Sequence, residues 1–124
     1  MDGTTLAYIA GGLCIAWGIA HLAATKMVIE DFEPLLPHNR RTITMAWIGG
    51  GLTLVFIGVL VALVARGATP GDASAVTVYH VCAGMLFASA VLMLLTASRT
   101  PILAMKICPA IQTVAAILLL LAAA

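Results

Sequence analysis

Residues 42–65, TITMAWIGGGLTLVFIGVLVALVA, run 24 positions without a charge and are closed by Arg41 on one side and Arg66 on the other. At about 1.5 Å of rise per residue such a run crosses a hydrocarbon core of about 30 Å as a helix. No other conformation lets a single segment do so, because every backbone N–H and C=O must be satisfied inside the segment itself. Three further apolar blocks of the same kind flank it, at about 4–25, 74–97 and 101–124. The longest polar break, residues 26–41, separates the first two. The chain has 124 residues, 63% hydrophobic and only 9% charged, with a mean hydropathy of +1.14. A soluble domain carries about 25% charged residues. The expectation is an all-α fold, a single integral-membrane domain over residues 1–124, built as an antiparallel bundle of four transmembrane helices.

Charge placement predicts the orientation. Lys26, Arg40 and Arg41 fall in the first break, Arg99 and Lys106 around the third, and only Arg66 at the other end. The positive-inside rule counts such residues in short loops, so both termini are expected outside (N-out/C-out). The 1–2 and 3–4 loops are then cytoplasmic. The first block does not read as a cleaved signal, since Asp2 is the one charge before Lys26 and no basic n-region precedes the run. A net charge of +1 offers no basic surface for nucleic acid. Cys14, Cys82 and Cys108 all lie inside predicted helices without CxxC spacing, and read as buried free thiols.

Helix faces follow from four-residue spacing. Gly12, Ala16, Ala20 and Ala24 form a small stripe suited to close packing in lipid, with Cys14, Trp17 and His21 on roughly the opposite side. Ala46, Gly50, Gly58 and Ala62 make a comparable stripe on the second helix, and His80, Gly84, Ala88 and Thr96 on the third. In the break KMVIEDFEPLLPHNRR, Pro34 and Pro37 forbid one long helix. An interfacial segment, part helix and part turn, is expected there, its apolar side chains dipping into the headgroup boundary. Asp72 or Ser74 should cap the third helix, and Thr100-Pro101 should open the fourth.

Two layers of side chains could carry chemistry. Cys14, Thr53, Ser89 and Gln112 fall near the midplane; Gln112, just past Pro109, needs partners there because an unpaired amide in hydrocarbon is costly. Nearer the cytoplasmic boundary lie Trp17, His21, Trp47, Thr96 and Cys108. The tryptophans read as interface anchors. The candidate ligand-binding set is Cys14, Trp17, His21, Trp47, Cys108 and Gln112. An alternative joins His21 and His38 to Glu30, Asp31 and Glu33 as a metal site, though no HxxxH or ExxH spacing accompanies it. His21 and His80 sit toward opposite membrane faces, which disfavours a haem between them. No acid lies inside a helix core, as a proton-coupled carrier would need.

Gly18-Ile19-Ala20-His21-Leu22, the glycine-rich second helix, the Ser98-Arg99 turn and Cys108-Pro109-Ala110 resemble features of small four-helix bacterial membrane proteins of the DoxX-like kind. The resemblance implies a bacterial cytoplasmic (inner) membrane and a role near quinone or lipid, and carries over no catalytic residue. The reading that follows is a non-catalytic, accessory protein. It binds a small apolar ligand (quinone or lipid, with no firmly implied cofactor) or a partner helix, as a homo-oligomer or beside a partner membrane subunit. An oligomeric channel or carrier is the alternative, and a metal-dependent membrane enzyme using His21, His38 and the loop carboxylates is the third.

Overall fold

A computed structural model of the chain describes residues 1–69 and 71–124. It contains α1 (Gly3–Ala23), the short α2 (Thr25–Glu30), α3 (Pro37–Gly67), α4 (Ala73–Leu95), a 3₁₀ turn (Ala97–Arg99) and α5 (Leu103–Ala123). The helices α1, α3, α4 and α5 are each long and apolar enough to cross a membrane, α4 continuing through the 3₁₀ turn. They pack as an all-α bundle in which α1 lies between α3 and α5, and α5 lies against α4. The seam between α3 and α4 is sparse. Phe56, Leu63, Val81, Leu95 and Leu103 are more than half exposed, so the outer surface suits lipid.

Helix ends follow from local chemistry. The Asp2 carboxylate accepts the Thr5 N–H at 2.7 Å, which caps α1 and holds that carboxyl below the usual carboxylate range. The cap is therefore present above the ordinary carboxylate pKa and is lost as pH falls through the lowered one. Gly71, at φ +81°, turns the chain into Asp72, whose carboxylate accepts the N–H groups of Ser74 and Ala75. Asp72→Ala should cost about 1 kcal/mol, read as a lower melting temperature in detergent. Pro37 occupies the first turn of α3, where its missing N–H has no partner to lose, so α3 begins a turn earlier than position 42. Thr100 does not open α5. Its hydroxyl bonds back to Ala97 O at 2.7 Å, and α5 starts at Leu103.

The buried faces differ from the four-residue stripes. On α1 the interior positions are Ala7, Ala10, Gly11, Cys14, Gly18 and His21, whereas Gly12, Ala16 and Ala20 face outward. Four glycines set the α1–α3 contact. A methyl at Gly11 would lie 2.9 Å from Gly58 O, and one at Gly58 would lie 2.5 Å from Gly11 O. One at Gly18 would meet Gly51 O at 2.9 Å, and one at Gly51 would meet Leu22 Cδ2 at 2.8 Å. Gly11 and Gly18 are seven residues apart, as are Gly51 and Gly58, so two antiparallel helices meet backbone to backbone twice, two turns apart. On α4 the His80, Gly84, Ala88 and Thr96 stripe is exposed; Ala75, Tyr79, Cys82, Ala83, Leu86 and Ala90 are inside.

The first break is only partly interfacial. Val28 and Ile29 of α2 are buried against Trp47, Ile102 and Met105, beneath the end of the bundle, while Met27 and Leu36 stay exposed. Burial in protein removes these branched side chains from water more completely than the headgroup boundary would. Five of the six basic residues, Lys26, Arg40, Arg41, Arg99 and Lys106, follow from the helix order to this end, with Arg66 at the other.

Candidate functional site: a cleft between α3 and α4

The α3–α4 seam opens in the half away from their connecting loop, into a cavity of about 410 Å³. Ile43, Trp47, Gly50, Leu54 and Ile57 of α3 form one wall; Met85, Leu86, Ser89 and Met93 of α4 form the other. Its floor is His21 of α1 with Met105, Cys108 and Gln112 of α5. Among the described residues no charged side chain lines it. The polar content is His21, Thr53, Ser89 and Gln112. Thr53 spends its hydroxyl on Gly49 O of its own helix, at 2.9 Å.

At the basic end of the floor, His21 and Trp47 lock α1 to α3. Their rings stack with centroids 3.7 Å apart and planes 11° from parallel. His21 Nε2 donates to Trp47 O at 3.1 Å, and Trp47 Nε1 donates to His21 O at 2.9 Å. The first bond places the imidazole proton on Nε2. The second reaches a carbonyl in the last turn of α1, one of those a helix leaves without an internal partner. Trp47 is thus buried in the bundle and is not an interface anchor.

Deeper in, Gln112 is 5% exposed and bonds across helices to Ser89, whose Oγ lies 2.9 Å from Gln112 Oε1. Ser89 Oγ also lies 3.1 Å from Leu86 O, but a hydroxyl has one proton. Leu86 O already has its helical partner, whereas Gln112 Oε1 has no other donor among the described residues. The shorter contact takes the proton. The Gln112 amide nitrogen then has no acceptor among the described residues, and the residue lines the cavity. Gln112 is nine residues into α5, about 14 Å from its start and therefore near the middle of a bilayer.

Of the six candidate residues, the structure brings His21, Trp47, Cys108 and Gln112 to one cavity. Cys14 sits instead in the core between the helices. Trp17 packs against that core, its Nε1 buried with no hydrogen-bond partner among the described residues. Thr96 is exposed and bonds its own helix at Leu92 O. All three cysteines are buried and free.

The loop residues of the metal alternative are not drawn to His21. Glu30 lies 3.9 Å from Lys26, Glu33 lies 3.1 Å from Arg40, and Asp31 and His38 are exposed. Among the described residues no three of His, Cys, Asp and Glu gather as a ligand set. The six-residue candidate set omits Thr53, Ser89, Gly50 and the cavity methionines Met85, Met93 and Met105. Of these, Thr53 and Ser89 carry a signal in the sequence, their midplane depth beside Gln112.

Comparison with known proteins adds no relative: no family model, no curated protein and no solved structure matches the chain. The likeness to DoxX-like proteins therefore extends no further than four apolar helices of membrane-spanning length.

Proposed function

We propose that this chain is an accessory membrane protein that holds a small apolar ligand, of the quinone or lipid class, in the cleft between α3 and α4. The observation that carries the reading is the cleft itself: an uncharged cavity on a sparse helix seam, holding one buried amide with unused donors. Small-molecule sites share this pattern of apolar walls with a few placed polar groups, at about 300–1,000 Å³. The role is binding without covalent chemistry. The basic end faces the cytoplasm, by the excess of Lys and Arg there. The outward small faces of α1 and α4 are available to a second copy or a partner subunit.

Native mass spectrometry with a UV–visible spectrum, on protein extracted in mild detergent, tests this. A bound quinone, pigment or single lipid class is expected, and the same spectrum reads the number of copies. Gly50 supplies the specific arm. It lines the cleft, and among the described residues a methyl there would meet only His21 Nε2, at 3.5 Å. Gly50→Leu should therefore fill the cavity without parting the helices, lowering retained ligand at least tenfold at nearly unchanged melting temperature. Full retention in that variant would count against the cleft.

A further inference from the structure

The unpaired end of Gln112 narrows what the cleft holds, on the reading just given. We infer that the site selects an uncharged apolar molecule bearing a carbonyl, whose oxygen accepts from Gln112 Nε2 near the bilayer middle while Ser89 fixes the direction of the amide. The argument begins with the proton on Ser89. Given to Gln112 Oε1 at 2.9 Å, it leaves the amide nitrogen, which has no acceptor among the described residues, as the free end of a side chain that lines the cavity. A donor left without an acceptor away from water is costly, and an incoming acceptor recovers that cost.

Depth and charge decide the occupant. A phospholipid carries its ester carbonyls and charged headgroup at the interface, and among the described residues no cation lines this cavity to receive a headgroup. A partner helix has its backbone carbonyls already bonded within itself. An uncharged ketone can bring its oxygen to the midplane, entering sideways from lipid between α3 and α4. The volume, about 410 Å³, suits a head of one or two rings with any tail left in the bilayer. Met85, Met93 and Met105 surround that space, and thioethers make favourable contacts with aromatic rings.

The test uses the whole chain in lipid nanodiscs with Trp17→Phe, which leaves Trp47 in the cleft wall as the one indole. Benzophenone, an aromatic ketone, should quench Trp47 saturably. Diphenylmethane, the same skeleton without oxygen, should displace it at least tenfold more weakly than benzophenone displaces itself. Gln112→Met, which keeps length and removes the donor, should bring the two within about twofold. Ser89→Ala, a milder change, should narrow the gap between benzophenone and its alcohol, benzhydrol, because the amide is then free to turn. Equal competition by ketone and hydrocarbon in unsubstituted Gln112 protein would overturn the inference and leave an unselective apolar cleft. A preference for benzhydrol would also overturn it, since the amide would then present oxygen. No saturable quenching by any of the three would remove both the inference and the cleft reading beneath it.

Discussion

Gly58→Ala should lower the melting temperature of the detergent-solubilised bundle by on the order of 10 °C, the largest loss expected from any single added methyl group. A methyl at this position would sit 2.5 Å from Gly11 O, 2.6 Å from Ile15 Cγ1 and 2.9 Å from Ile15 N. Two of those atoms are backbone and cannot turn aside, so α1 and α3 must move apart along the seam. Overpacking of this kind costs about 1–3 kcal/mol, against at most about 1 kcal/mol gained from the better helix propensity of alanine. The opening should also expose Cys14, 2% exposed in the folded bundle, to a membrane-permeant maleimide. Gly12→Ala is the matched control. It lies one residue along from Gly11, yet nothing among the described residues stands within 4 Å of where its methyl would go. Equal melting of the two variants would mean that the glycine seam does not set the α1–α3 distance.

The same glycines show what could be read from the chain and what could not. Four membrane-spanning helices follow from uncharged runs such as 42–65, because backbone hydrogen bonding in lipid leaves no other choice. Which face of each helix turns inward is a different matter. In water, polar residues mark the outside; in lipid both faces are apolar, and that contrast is lost. Gly11-Gly12 and Gly49-Gly50-Gly51 each offer adjacent registers, and a four-residue stripe through Gly12 is as regular as the pairing through Gly11 and Gly18. Only the partner helix decides between them. The cleft was legible where polar groups are scarce: His21, Trp47 and Gln112 stood out by depth alone. Ser89 passed as one midplane hydroxyl among others until α4 and α5 were seen side by side, and Val28 and Ile29 passed as interfacial until α2 folded beneath Trp47.

Trp47→Phe and His21→Ala should each destabilise the bundle by about 1–3 kcal/mol, and together by clearly less than the sum. The two residues share three interactions: one ring stack and two hydrogen bonds running in opposite directions. Phenylalanine keeps a ring for the stack but removes the N–H that satisfies His21 O. That carbonyl lies in the last turn of α1 and faces protein, so water does not replace the lost donor. Alanine at position 21 removes the stack, worth about 0.5–1.5 kcal/mol, and the bond to Trp47 O, worth about 0.6–1.7 kcal/mol in a membrane interior. Since either change also loosens the pair's remaining contact, the coupling energy should reach about 1 kcal/mol or more. Unfolding titrations in mixed detergent on the four proteins of the cycle would give it directly. Strictly additive losses would mean that the two side chains stabilise α1 and α3 separately, and that the corner of the cleft they form is not held by their contact. Coupled losses, with ligand retention falling alongside stability, would tie the geometry of the cleft floor to this lock.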